Sequence, residues 1–191
     1  MDRPWWQSMI QWPFWTFVTS LVIGWLARSR LKPRSSDAAN KLHHPISTLI
    51  LGCVGFLFFA ALTVISNVIP NETTTWWTTS TFVGFALLSF PLILDYFRAR
   101  HELTESGIVC GRLFLPRLHI AWKDVKRVKY APYMKWFKIE TRSGEVGQIS
   151  AMLIGLPEFA QAILSHVSPD AIVQDTLPIL EATASGNPPS L

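Results

Sequence analysis

A run of 24 residues without a charged side chain most restricts the fold of this chain. Residues 46–69, ISTLILGCVGFLFFAALTVISNVI, are almost entirely apolar. As an α-helix that rises about 1.5 Å per residue, the run is longer than the roughly 30 Å hydrocarbon core of a bilayer is thick. The sequence therefore predicts a membrane-spanning helix over 46–69.

Two further apolar segments flank this run. Residues 79–97, TSTFVGFALLSFPLILDYF, are free of charge until Asp95 and predict a second span. Residues 4–27 are also apolar, although two glutamines and Pro13 interrupt them. We expect a third span over about 9–27, the alternative being an interfacial helix that inserts only partly. Small residues four apart, at Ser20/Gly24 and Ser80/Gly84, predict close helix packing, which we expect within this bundle rather than in a dimer.

The placement of lysine and arginine predicts the orientation of these helices. Residues 70–78 contain no basic side chain, whereas 28–45 and the start of the segment after 97 are basic. Because basic loops are retained in the cytoplasm, 28–45 and everything after 97 are predicted to be cytoplasmic and the N-terminus periplasmic. The basic residues concerned are Arg28, Arg30, Lys32, Arg34, Lys41, Arg98 and Arg100.

From about residue 101 apolar residues alternate with polar ones. The pattern predicts about six or seven short antiparallel strands, separated by turn residues such as those of RSGE at 142–145. After Gly155 the period becomes that of one amphipathic helix, which we expect to cap the open end of a bent sheet. Its apolar stripe comprises Leu156, Phe159, Ala160, Ile163, Leu164 and Val167.

Several of these segments are shared with a known family. The segment HIAWKDVKRVKY (119–130), together with LTESGIV, KWFKIETRSGE and the closing GLPEFAQAIL helix, resembles the PH-like (pleckstrin-homology-like) domain family of small bacterial membrane proteins. The resemblance covers about residues 98–168. It implies an antiparallel PH-like β-barrel capped by a C-terminal helix, in which Trp122 packs and Asp124 caps the following backbone N–H groups.

The chain is thus predicted to have three parts. Residues 1–97 form a transmembrane region of two or three helices, and 98–168 form a cytoplasmic α+β domain of PH-like type. Residues 169–191 are rich in Pro and Ser and predict a mostly disordered tail, with one helical turn in PILEAT. The expected location is the bacterial inner membrane, which the chain crosses more than once.

The chain lacks the residue patterns of common catalytic and metal sites. No GxSxG, Walker-type or HExxH motif occurs, so we expect neither enzymatic activity nor a cofactor. The two cysteines lack the spacing of a zinc site. The five histidines lie apart or as sequence neighbours, and we expect them to be solvated or interfacial rather than metal ligands.

A cluster of basic residues is the strongest candidate for a binding surface. In KRVKY, Val128 should face the core, which places Arg127 and Lys129 on the outer face. One interpretation is an ordinary solvated face balanced by nearby acids. The functional interpretation is contact with anionic lipid or a partner through Arg127, Lys129, Lys135 and Lys138. Nucleic acid is not expected, because the patch is small and offers little aromatic surface for stacking.

Three functions follow from these features. The favoured one is a non-enzymatic inner-membrane protein whose domain mediates interaction with an unidentified protein partner or regulates a membrane complex. The second is an immunity or envelope-stress protein that protects against a toxin. The third is a membrane module that binds anionic lipids. The oligomeric state does not follow from the sequence.

Overall fold

The computed structural model describes residues 5–29 and 40–190, with side chains from residue 12 onward in the first range. Three predicted cytoplasmic residues, Arg30, Lys32 and Arg34, lie outside the described residues. The described helices are α1 (Trp5–Ser29), α2 (Ile46–Val68), α3 (Trp76–Arg98), α4 (Leu156–His166) and α5 (Leu177–Ala184). The strands are β1 (Lys41–Leu42), β2 (His101–Thr104), β3 (Gly107–Cys110), β4 (Leu118–Ala121), β5 (Val125–Ala131), β6 (Trp136–Thr141) and β7 (Val146–Ser150).

The helices α2 and α3 confirm the two strongest apolar predictions. Each has 23 residues and is therefore about 35 Å long. Among the described helices, these two alone are long and apolar enough to cross a membrane. The third predicted span, 9–27, lies within α1. Helix α3 begins three residues earlier than predicted, because the Thr75 side chain caps it by accepting the Thr78 amide hydrogen at 3.3 Å.

Two glycines that the sequence did not single out allow α2 and α3 to pack closely. A Cβ atom on Gly52 would lie 2.9 Å from Ile93, and one on Gly55 would lie 2.8 Å from the Ser89 hydroxyl. By contrast, nothing lies within 4 Å of the corresponding position on Gly24 or Gly84. The predicted packing at these two glycines is therefore wrong within the described residues. The prediction failed because the spacing of small residues identifies a helix face that can pack closely, but it does not identify which helix packs against that face.

The strands form two antiparallel sheets, with the orders β1-β2-β3-β4 and β5-β6-β7. This α+β layout agrees with the prediction, but the sheets do not close into a barrel. The edge strands are β1 and β4 in one sheet and β5 and β7 in the other, and among the described residues no ladder joins an edge of one sheet to an edge of the other. Gly147 of β7 instead faces the side chains of Ile120 and Cys110.

Helix α4 covers the core of the α+β domain and confirms the predicted amphipathic helix. Phe159 and Ile163 are completely buried, and the Phe159 ring lies 5.6 Å from that of Phe137 in β6. Trp122 is buried as predicted: its indole N–H donates to the Thr104 carbonyl at 3.3 Å, and its ring stacks on His166. One core therefore contains both the apolar residues of β6 and the apolar stripe of α4.

The predicted role of Asp124 is not reproduced. Its side chain is exposed and accepts no hydrogen bond from any described residue. The backbone of Asp124 instead connects this turn to the residue that follows β6: the Asp124 carbonyl accepts the Arg142 amide hydrogen at 2.9 Å. The 3₁₀ turn at Trp122–Asp124 is closed by backbone bonds, and the amide of Val125 reaches the Trp122 carbonyl.

The C-terminal segment differs from the predicted disordered tail. Two 3₁₀ turns, Pro169–Ala171 and Gln174–Thr176, lead into α5, where Leu180 is completely buried. Two of the prolines that suggested disorder, Pro169 and Pro178, stand at the start of the first 3₁₀ turn and in the first turn of α5, where a missing N–H costs nothing, and Pro188 and Pro189 follow α5. The segment from 169 to 184 is therefore part of the folded domain.

Short connections attach the helix hairpin to the sheets. β1 precedes α2 by three residues and pairs with β2, and Leu42 of β1 is completely buried in the core. At the other end, α3 is followed after two residues by β2. The Arg98 guanidinium also donates to the Leu113 carbonyl at 2.9 Å. The ends of α2 and α3 are thus fixed against the domain.

Candidate functional site

The predicted basic residues lie mainly on the outer face of β5 and β6. Arg127 and Lys129 are exposed as predicted, and Val128 between them is completely buried. In the β5–β6 register, Lys129 stands directly opposite Lys138, and Arg127 stands opposite Glu140. Like charges directly opposite each other destabilise a sheet unless something screens them. The Lys129–Lys138 pair is the feature of this face that most favours an anionic ligand.

Lys135 stands apart from the other three basic residues. It lies in the β5–β6 turn with a φ of 53°, and its carbonyl accepts the Ala151 amide hydrogen at 2.7 Å. The same turn carries Tyr133, which is fully exposed, and Met134, which is 55 % exposed. The turn therefore presents apolar side chains beside a cation.

The basic face continues towards the ends of α2 and α3. Lys138 of β6 pairs with Gln148 of β7, and Trp136 pairs with Ser150. Gln148, Trp136 and Ser150 line a pocket whose opposite wall is formed by α2 and α3. The outer face of this sheet and the β5–β6 turn are consequently at the helix end of the domain.

This pocket has a volume of about 630 Å³ and is walled mostly by apolar side chains. Leu92 and Ala99 contribute from the end of α3, and residues 113–115 contribute from the loop between β3 and β4. Thr48 contributes from the first turn of α2. The pocket therefore lies at the junction of the helix hairpin and the α+β domain.

Two buried histidines, His44 and His101, line this pocket. Burial, with a smaller contribution from the neighbouring charge of His43, lowers the pKa of His44 to about 4. Burial, followed by the charge of His44, lowers the pKa of His101 to about 4. Both rings are neutral at pH 7. The Nδ1 atoms of both rings and the Thr48 hydroxyl have no hydrogen-bond partner among the described residues.

The burial of these two histidines corrects the expectation that they are solvated or interfacial. His44 comes just before α2 and His101 just after α3. In an antiparallel hairpin these two positions are neighbours, although they are far apart in the sequence. The two predicted spans, taken as an antiparallel hairpin, are therefore sufficient to predict that these two histidines are neighbours.

The polar part of the pocket also includes Cys110, Arg112 and, from the end of α3, the carboxylate of Asp95. Burial raises the pKa of the Cys110 thiol to about 12, although the positive charge of Arg112 acts in the opposite direction. The thiol is thus protonated at pH 7 and is a poor nucleophile. Arg112 donates one hydrogen bond from Nη2 to the Val146 carbonyl at 3.2 Å. Within residues 5–29 and 40–190, no group of three or more His, Cys, Asp or Glu residues is placed to hold a metal ion.

A substitution at Gly111 tests whether the junction is as tight as the contacts indicate. A Cβ atom at this position would lie 2.5 Å from the backbone oxygens of both Arg98 and Arg100. Because backbone cannot move as easily as a side chain, we expect Gly111→Ala to destabilise the protein by about 1–3 kcal/mol. Thermal unfolding of the detergent-solubilised protein measures this. Gly144→Ala would be an unsuitable control because of its positive φ, whereas Gly84→Ala has open space and should be nearly neutral.

Comparisons with protein-family models, with curated proteins and with solved structures found no match to this chain.

Proposed function

We propose that this chain is a non-enzymatic, multi-pass membrane protein whose α+β domain docks on the anionic headgroups of the membrane that holds its helices. One observation carries the proposal: Lys129 and Lys138 face each other across two strands, on the sheet face that leads to the ends of α2 and α3. An anionic surface would relieve their repulsion. Arg127 and Lys135 extend the basic surface on either side.

The short tethers favour this docking. Only residues 43–45 separate β1 from α2, and only residues 99 and 100 separate α3 from β2. The domain therefore stays within reach of headgroups, where each Lys or Arg contributes about 1 kcal/mol. Exposed apolar side chains at the same end, Phe114 and Tyr133, can enter the interface beside these cations.

The finer topology belongs to the same proposal. Many apolar side chains of α2 and α3 are exposed, such as Leu57 and Leu88, and in a membrane they would contact the lipid tails. The basic residues that flank the hairpin favour a cytoplasmic domain and, with α1 as a third span, a periplasmic N-terminus. We place the protein in a bacterial inner membrane and its domain among PH-like folds, supported by the two antiparallel sheets and the helix α4.

The chain's own C-terminal segment occupies two surfaces that a protein partner could have used. The Val128 carbonyl at the outer edge of β5 accepts the Val173 amide hydrogen, and the Tyr130 amide donates to the Thr176 hydroxyl. On the flank of α4, the Gln161 side chain donates to the Ala184 carbonyl. Interaction with a protein partner, regulation of a membrane complex and protection against a toxin therefore stay predictions.

Depth measurements on the full-length protein in vesicles test the docking. A fluorophore attached at Tyr133→Cys should be quenched by quenchers carried on lipid headgroups in anionic vesicles, and less so at high salt. Lys129→Glu with Lys138→Glu should lower the ratio of docked to undocked protein at least tenfold, because two attractions of about 1 kcal/mol become repulsions.

The matched control reverses two exposed lysines away from the β5–β6 turn, Lys123→Glu in the 3₁₀ turn before β5 and Lys126→Glu at the start of β5. It has the same net charge and should dock nearly as well as the unsubstituted protein. Equal quenching in zwitterionic vesicles, or equal losses in both double variants, would contradict the proposal.

A further inference from the structure

The pocket between the helix ends and the α+β domain has the form of a binding site for an amphiphile. Its volume of about 630 Å³ falls within the range of roughly 300–1,000 Å³ that is usual for small-molecule sites. Its wall is mostly apolar, but Arg112, His101 and Thr48 bring hydrogen-bond donors to it. A site of this composition suits a ligand with an apolar body and one polar end.

We propose that this pocket binds one phospholipid of the surrounding membrane, with its phosphate at Arg112 and the start of an acyl chain against Leu92, Leu115 and Trp136.

The position of the pocket selects a membrane lipid over a water-soluble ligand. Its wall begins on α2 and α3, at the ends of the two helices that are long and apolar enough to cross a membrane. Phe114 and Leu115, also in the wall, are 77 % and 63 % exposed, so the apolar lining extends to the surface. A lipid in the adjoining leaflet can therefore enter without leaving an apolar environment.

The polar groups in the pocket select a phosphate-bearing end. One Arg112 nitrogen is used by the Val146 carbonyl, and the planar guanidinium has further N–H groups with which to bind phosphate oxygens. The buried Nδ1 atoms of His44 and His101 and the Thr48 hydroxyl lack partners among the residues that the structure describes. Because unpaired buried polar groups are costly, a small rotation of a ring or hydroxyl towards a phosphate would be favourable.

This lipid site adjoins the docking face and shares Phe114 with it. It rests on the membrane placement of α2 and α3 that the proposed function also uses, but not on Lys129 and Lys138. Reversing these two lysines should abolish docking and leave the bound lipid in place. The two proposals can therefore fail independently.

Native mass spectrometry of the full-length protein, extracted in mild detergent and exchanged into fresh detergent, tests the site. We expect one retained phospholipid per chain. Arg112→Gln should lower its occupancy at least tenfold, because it removes the cation. Ala99→Phe should do the same by filling the pocket, and it serves as a second test if the first variant is unstable. Arg117→Gln, an exposed residue of the same loop outside the pocket, should retain the lipid.

Competition with inorganic phosphate and the mass of the retained molecule together fix the identity of the ligand. Excess inorganic phosphate should not displace the lipid, because the acyl chain supplies part of the binding. Displacement by phosphate would overturn the assignment to a lipid, and a retained fatty acid would overturn the phosphate end. Absence of any retained lipid from the unsubstituted protein, or equal losses in Arg112→Gln and Arg117→Gln, would overturn the site itself.

Discussion

Lowering the pH from 6.5 to 4 is expected to destabilise the folded protein by several kcal/mol through His44 and His101. Both have a pKa near 6.5 in the unfolded chain and about 4 in the folded protein, because burial disfavours the charged ring. Each unit of pKa difference corresponds to 1.36 kcal/mol, so one histidine accounts for about 3 kcal/mol. The second adds to this, although not independently, because the charge of His44 contributes to the lowered pKa of His101.

The direction of this pH effect follows from the number of protons that the folded and unfolded chains bind. Between pH 6.5 and 4 the unfolded chain binds protons at these rings and the folded protein does not, so acid favours unfolding. This contribution is absent above about pH 6.5, grows as the pH falls, and is complete below about pH 4. The thermal midpoint of the detergent-solubilised protein from which bound phospholipid has been removed, measured at intervals across this range, should follow the same course.

A double variant separates these two rings from the carboxylates that also titrate in acid. His44→Gln with His101→Gln removes both buried imidazoles, and the loss of stability between pH 6.5 and 4 should become much shallower. His119→Gln changes an exposed histidine of β4 and should leave the slope as it is. If the double variant lost stability as steeply as the unsubstituted protein, the two rings would not be buried as described.

The fold elements that could be predicted are those with a strong local pattern. The long apolar runs predicted α2 to within one residue and α3 to within three, and the apolar stripe from Leu156 to Val167 predicted α4. Alternation in KRVKY correctly separated buried Val128 from exposed Lys129. In each case the residues that decide the structure lie within a few positions of one another, so the sequence alone carries the signal.

The candidate site depends on contacts between distant parts of the chain, and local patterns do not show them. The opposition of Lys129 and Lys138 is set by the register of β5 and β6, which the turn at 132–135 determines. The pocket exists because the helix hairpin brings the residues before α2 next to those after α3. β1 has only two residues, too few for any periodicity, and its place is fixed by the burial of Leu42.

The C-terminal segment shows most clearly where composition misleads, and Leu180→Ala tests it. Leu180 is completely buried in the core beside α4, and the segment that carries it also covers the outer edge of β5. Truncating a buried leucine leaves a cavity and typically costs about 2–5 kcal/mol. We therefore expect Leu180→Ala to lower the free energy of unfolding of the detergent-solubilised protein by about 3 kcal/mol, measured by denaturant titration.

Glu181→Ala changes the exposed neighbour on the same helix and should be nearly neutral. If both variants unfolded together with the unsubstituted protein, the segment would not be docked, and the disorder predicted from its composition would be correct.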